Sequence, residues 1–152
     1  MSDDPLTGYI RPVAICVFRN GSRILVGEYS DPTTDQAFYR PPGGRIEFGE
    51  LSAAALRREM KEELGAEIAD PNLLGVLEER FTFEGRPKHE IIFVYDAEFL
   101  DRSLYEIDRF TGTEDDGSQF SAIWLDTATI GPQTPPLYPD GLLELLAERE
   151  RV

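Results

Sequence analysis

The chain has 152 residues, 41% of them hydrophobic and 29% charged, with a formal net charge of −14 at pH 7. That length suits a single compact domain, residues 1–152, built around one core. The acidity argues against a partner that is a nucleic acid polymer or an anionic membrane, and the chain has no run of about eighteen apolar residues that would span a bilayer.

The opening Met1-Ser2-Asp3-Asp4-Pro5 lacks the basic and apolar regions of a signal peptide. Residues 12–18 form an apolar run rich in β-branched side chains, which predicts a buried strand. It contains Cys16, expected to be inert core. As the only cysteine, Cys16 excludes an intrachain disulfide and makes a cytoplasmic location the default. Asn20-Gly21 predicts a hairpin turn, with residues 23–28 returning as a strand. Residues 30–36 form a polar loop, and 38–40 a short strand. Pro41-Pro42-Gly43-Gly44 should interrupt regular structure.

Residues 51–64 predict the clearest helix, rich in good helix formers and followed by Gly65 at the position of a left-handed cap. Residues 73–83 and 89–99 predict antiparallel strands joined by a turn at 84–87. Residues 101–118 read as a long acidic loop and 120–125 as a last strand. Residues 137–151 read as an amphipathic helix carrying Leu142, Leu143, Leu145 and Leu146. Hairpins among helices imply an α/β fold with a mixed sheet and helices on its faces.

The chemistry concentrates between Gly44 and Ala66. Glu59, Glu62 and Glu63 stand at i, i+3 and i+4 of the predicted helix, which puts three carboxylates on one face across an arc of about 100°. The expected apolar stripe beside them is Ala53, Leu56, Met60 and Leu64. An acidic helix face is usually a solvated one. Here the acids sit towards the C-terminal end, where the macrodipole disfavours negative charge, and they repel one another. A bound hard cation gives a reason for the crowding, because Mg²⁺ prefers carboxylate oxygens. Gly43-Gly44 would let a backbone carbonyl approach that cation. Arg58 and Glu50 are expected to pair and tie the preceding loop to the helix.

The stretch resembles the Nudix box of the MutT-like hydrolases, G-x5-E-x7-R-E-U-x-E-E-x-G-U with U a bulky apolar residue. Gly44, Glu50, Arg58, Glu59, Met60, Glu62, Glu63 and Gly65 match, and Ala66 departs from it by being small. The resemblance implies an α/β/α sandwich with a central mixed sheet. It implies Mg²⁺-dependent hydrolysis, with Mn²⁺ as a substitute, of a phosphoanhydride bond in a nucleoside diphosphate linked to another moiety. Glu59, Glu62 and Glu63 correspond to the family's metal-binding carboxylates, joined by the Gly43 carbonyl, and a metal-activated water would attack phosphorus. The general base would be a box glutamate such as Glu62, or one of Glu114, Asp115 and Asp116 downstream. The resemblance is also compatible with a homodimer.

Downstream signals of the ADP-ribose, dinucleoside polyphosphate and NADH subclasses are absent, as is the upstream signature of the coenzyme A subclass, so no substrate is selected. Arg40 and Arg45 flank the glycine loop and could meet phosphate oxygens. Arg11, Arg80, Arg86 and Lys88 are further basic candidates. Phe81 and Phe83 share a strand face and could stack on a base, although core packing is the plainer expectation, as it is for Trp124. His89, the only histidine, has no companion ligand nearby for a zinc site. Two other readings remain: a nucleotide-binding or interaction module on the same fold without useful catalysis, and an acidic surface stabilised by Ca²⁺.

Overall fold

The computed structural model describes residues 8–150. The Met1 to Pro5 stretch and Arg151, the expected end of the terminal helix, lie outside the described residues.

Among the described residues, nine strands form two sheets. Strand β1 (Ile10–Val17) is the centre of the first, because both its faces are apolar: Val13, Ile15 and Val17 on one side, Ala14 and Cys16 on the other. A strand buried on two faces can sit inside a layered structure. It pairs in parallel with β7 (Arg86–Phe99) and antiparallel with the short β5 (Gly43–Arg45), and β6 (Ile68–Phe83) completes the order β5-β1-β7-β6. The first sheet is therefore mixed, as expected. The second sheet is antiparallel and holds β2 (Arg19–Asn20), β3 (Arg23–Asp31), β4 (Gln36–Arg40), β8 (Arg109–Thr113) and β9 (Gln119–Asp126). The Asn20-Gly21 turn closes the expected hairpin between β2 and β3, and β3 finds β9 as its long partner.

Helix α1 (Ser52–Leu64) packs its Leu56 and Met60 into a core with Ala14, Cys16, Phe18, Phe99 and Trp124. Helix α2 (Leu142–Glu150) puts Leu142 and Leu146 against Val13, Ile15 and Val17, on the opposite face of β1. This is the expected α/β/α layering. Gly65 caps α1 in the left-handed region at φ 65°, donating to the Lys61 carbonyl, while Ala66 N–H reaches the Met60 carbonyl. Those two bonds satisfy carbonyls that the helix end would leave open.

Four sequence expectations change. Gly43–Arg45 is a strand rather than a break: Gly43 and Gly44 lie opposite Ile15 and Ala14, and a Cβ at Gly43 would overlap the Ala14 carbonyl. Strand β6 begins at Ile68, five residues early, because bulges around Asn72 and Leu73 absorb Pro71. The loop expected at 101–118 contains a turn of 3₁₀ helix at Arg102–Glu106 and the strand β8, whose alternation buries Phe110 and Gly112 beneath exposed polar neighbours. Finally, α2 starts at Leu142, since Leu137 bridges Tyr39 and Gly141 takes φ 91°.

Leu56 is fully buried between α1 and the sheets. Leu56→Ala should cost about 2–5 kcal/mol of stability. Denaturant unfolding followed by Trp124 fluorescence will measure it, and a loss under about 1 kcal/mol would contradict this packing.

Candidate active site

The acidic face of α1 is turned further inward than its sequence suggested. The buried residues are Ala55, Leu56, Met60, Glu59 and Glu63, whereas Ala53 and Leu64 are only partly covered. Glu59 is 1% exposed and Glu63 5%, while the Glu62 side chain is 52% exposed. Gly44 makes room for this: a Cβ there would overlap the Glu59 carboxylate. The glycine is needed for close approach between β5 and a buried acid, which is a stronger constraint than a turn.

Arg58 binds the loop to the helix, as expected. Its Nε and one terminal nitrogen donate to the two oxygens of Glu50 at 2.8 and 3.0 Å, and that same terminal nitrogen reaches the Arg45 carbonyl at 3.0 Å. The other terminal nitrogen donates to Glu59 at 2.9 Å and to Glu62 at 3.2 Å. Glu50 also accepts from the Glu47 N–H. These bonds, led by those from Arg58, hold the Glu50 carboxyl down at about 2. One guanidinium thus orients three carboxylates, a role suited to its planar fork of donors.

Neutralisation is incomplete. Glu59 Oε2 and Glu63 Oε1 are buried without a hydrogen-bond partner. Burial, the leading cause, raises the proton affinity of both groups, and neighbouring acids add to it. The leading ones, Asp115 for Glu59 and Glu114 for Glu63, come from the tip of the β8–β9 hairpin. A tight turn, closed by Glu114 N–H to the Ser118 carbonyl and Gly117 N–H to the Glu114 carbonyl, aims its acids at α1. Glu114 hydrogen-bonds Glu63 and Tyr29, and burial holds it too above the ordinary carboxylate range. Asp115 joins Glu59 and Glu62 in a group whose carboxylate oxygens lie within 4.8 Å of one another. Asp116 instead accepts from Ser118 N–H and Oγ, and so shapes the turn. Of the three downstream acids, the structure brings Glu114 and Asp115 to the helix.

A cleft runs away from this cluster. Gly43, Gly44, Glu63, Glu114 and Asp115 line a cavity of about 230 Å³, which shares Tyr29, Arg40 and Arg45 with a larger cavity of about 660 Å³. Arg11, Arg86 and Lys88 stand around the larger one. Arg40 is not an open phosphate ligand: it pairs with buried Glu90 at 2.7 Å. Phe81 and Phe83, expected mainly in the core, are half-buried and line the cleft. Their period-two spacing carried that signal, but only the neighbouring strands reveal which face is open. Arg80 is exposed on the other face of β6, His89 pairs with Glu78 at 2.7 Å, Cys16 is buried, and Trp124 Nε1 donates to the Ile107 carbonyl.

Two opposite pH responses follow for the metal-free protein. Glu50, held low, contributes stability that is complete above its ordinary 4.5 and is lost as pH falls through about 2. Glu59, Glu63 and Glu114, held high, cost stability when charged, and that cost is relieved as pH falls towards 4.5. The unfolding temperature should rise from about pH 9 to about pH 5 and then drop, with Glu63→Gln flattening the alkaline limb. A steady fall from pH 9 to 5 in a melting series would contradict the burial of these acids.

Comparison with known proteins bears on what this site is. The NUDIX domain family model matches residues 8–141. Over 50 residues the chain is 42% identical to "Putative 8-oxo-dGTP diphosphatase 2" of Mycobacterium tuberculosis, a match covering 33% of this chain and 36% of that protein. The chain thus spans about a third of that relative's length. Among solved structures, a MutT NUDIX hydrolase from Burkholderia pseudomallei superposes with a TM-score of 0.64 at 21% identity, covering 90% of this chain and 95% of the other. A NUDIX hydrolase from Nitrosomonas europaea gives 0.66 at 16% identity, covering 93% and 89%. Those two likenesses are of fold. The family match spans nearly the whole chain and includes every box residue assembled around Arg58, and on that ground the chain belongs to the NUDIX domain family.

Proposed function

We propose that this chain is a pyrophosphohydrolase that splits a phosphoanhydride bond in a nucleoside diphosphate linked to another group, with Mg²⁺ as its working cation and Mn²⁺ as a substitute. The observation that carries this reading is the convergence of Glu59, Glu62 and Asp115 oxygens within 4.8 Å at the head of a cleft with basic walls.

The residues fit a hard dication. The donors are all oxygens, and two buried carboxylate oxygens nearby lack any partner. Glu59, Glu62 and Asp115 would hold the ion, with Glu63 and the Gly43 carbonyl as further donors on the same cavity. When bound, such an ion supplies positive charge to the diphosphate and acidifies water.

The chain's own groups do the rest. The general base is assigned to the hydrogen-bonded Glu63–Glu114 pair rather than to Glu62, whose carboxylate is drawn to Arg58. Burial raises the proton affinity of both carboxyls, and a bound dication would lower it again, leaving in the pair a carboxylate able to take a proton near neutral pH. The attacking water forms the new P–O bond, its proton passes to this pair, and the bond to the bridging oxygen breaks. Arg45, with Arg11, Arg86 and Lys88 around the cleft, would orient phosphate oxygens. Arg40, restrained by Glu90, contributes only its remaining N–H groups. The Mycobacterium tuberculosis relative makes an oxidised purine nucleoside triphosphate one substrate to try first.

With Mg²⁺ present, release of phosphate or nucleoside monophosphate is expected from at least one of these: nucleoside triphosphates, oxidised nucleotides, ADP-ribose, nucleotide sugars and dinucleoside polyphosphates. Glu62→Gln, Glu63→Gln and Asp115→Asn should each lower kcat by about a hundredfold or more while the protein stays folded. Tight binding of these compounds without turnover would instead support the binding-module reading.

Cation binding has its own readout. At about a hundred times the dissociation constant, Mg²⁺ or Mn²⁺ should stabilise the fold by about 2.7 kcal/mol. Thermal melts should show that gain shrinking in Asp115→Asn and Glu62→Gln. An equal gain in both variants would refute the assigned ligands.

A further inference from the structure

Beyond the basic-walled cleft lies a further cavity of about 620 Å³, within the range of about 300–1,000 Å³ typical of small-molecule sites. It meets the cleft at Arg40 and Phe81, which line both. Its walls are Phe38 and Arg40 of β4, Glu79 and Phe81 of β6, and the segment bearing Gln133 and Tyr138. The rings are fixed by packing: Phe38 lies 5.7 Å from Tyr138 and 6.1 Å from Phe83, centroid to centroid. Flat apolar walls at the end of a phosphate-binding cleft suit a planar ring.

The polar groups decide which ring. Two carboxylates line the cavity, and they differ. Asp31 is fully committed: one oxygen accepts from Thr33 N–H and hydroxyl, the other from Glu84 N–H. Glu79 is 7% exposed and accepts a hydrogen bond from the Asp140 N–H. It alternates with Phe81 along β6, so both side chains face the cavity side of the strand. The adjacent Arg40 guanidinium is hydrogen-bonded to Glu90, the residue opposite Glu79 across the strand pair, and offers Glu79 only its field. A buried carboxylate with acceptor capacity left over favours a ligand that brings two adjacent N–H donors.

We infer that this cavity is the base-recognition pocket of the proposed hydrolase and that Glu79 selects guanine-type rings, those presenting an imino N–H beside an exocyclic amino group. This rests on the hydrolase reading only in treating the cavity as the end of the substrate cleft. The chemistry of the edges gives the discrimination. Guanine offers two donors side by side to the two carboxylate oxygens. Adenine and cytosine offer one donor beside an acceptor, which would face the carboxylate without a proton between them. Uracil offers one donor between two carbonyls. A polar site rejects a ring of the wrong pattern more strongly than an apolar one rejects a wrong shape, because it leaves buried groups unpaired.

The closing experiment has two arms, each on the full chain. In the first, kcat/KM is measured with Mg²⁺ for GTP and ATP. The wild type should prefer GTP by about tenfold or more, and Glu79→Gln should lower the GTP value while raising that for ATP, because a glutamine amide presents the acceptor and donor that adenine's edge requires. A merely structural role for Glu79 would depress both alike. In the second, GMP and AMP binding is measured by calorimetry without divalent cation; the wild type should favour GMP by a similar factor. That arm needs no variant to fold and no catalysis. Equal affinity for GMP and AMP in the wild type would overturn the inference even if hydrolysis is confirmed. GMP preference without turnover of any nucleotide would uphold the pocket and remove the hydrolase reading instead.

Discussion

Everything at this site follows from carboxylates being buried on a helix with too few cations to neutralise them. Glu59 and Glu63 occupy positions of α1 that apolar residues would fill in an ordinary amphipathic helix. Each leaves one buried oxygen without a hydrogen bond, an arrangement that costs about 1–3 kcal/mol per group and more when the group is charged. The fold tolerates this because Leu56 and Met60, fully buried beside them, each contribute about 1.5–3 kcal/mol of apolar burial. Arg58 is the cation that meets the box acids, and it directs its donors to orientation, reaching Glu50, Glu59, Glu62 and the Arg45 carbonyl together. An apolar repacking of the same helix would be more stable. What it would lose is a preorganised set of partly unsatisfied oxygens, on which the proposed cation site rests.

The two-sheet architecture brings the remaining acids. Strand β1 fixes α1 above the first sheet, while β3 and β9 carry the second sheet alongside and β8 extends it to the helix. The β8–β9 turn can then place Asp115 within reach of Glu59 and Glu62, and Glu114 against Glu63, although these residues are about fifty positions apart in sequence. Tyr29 of β3, stacked between Phe38 and Phe120 and bonded to Glu114, braces the tip from the far side. The site is a contact between a helix and a hairpin, and neither element would hold the acids alone.

That division explains what could be read from the sequence. The box was legible because its spacing is local: the helix period puts Glu59, Glu62 and Glu63 on one side, and Arg58 lies within one turn of two of them. The long antiparallel pair β6–β7 was legible from its apolar runs, apart from its start, where Pro71 masked a bulged strand. Strand β8 was missed because its five residues include a glycine and three polar side chains, so alternation was too short to outweigh the acidic surroundings. With β8 taken for loop, the roles of Glu114, Asp115 and Asp116 could not be separated. Only pairing with β9 shows that two of them reach the helix and that the third holds the turn. The depth of Glu59 was equally hidden, because periodicity gives a face but not its angle to a sheet. Gly44 carried a trace of it, as a residue whose missing Cβ leaves room for something close.

The distribution of charge along the cleft bears on ligand size. A net charge of −14 gives the surface a repulsive far field for any phosphate, but salt screens exposed charges beyond about 8 Å. Inside that distance, Arg11, Arg45, Arg86 and Lys88 line the walls beside the acid cluster. A small anion entering the cleft meets cations on its walls and, at the far end, the acid cluster proposed to hold a dication. An extended polyanion could satisfy the walls with a few phosphates, while the rest of its chain would lie against acidic surface. On the proposed reading, the same charges that weaken binding of a polymer would leave binding of a compact diphosphate largely unaffected, and discrimination would arise from how far the ligand extends beyond the basic walls.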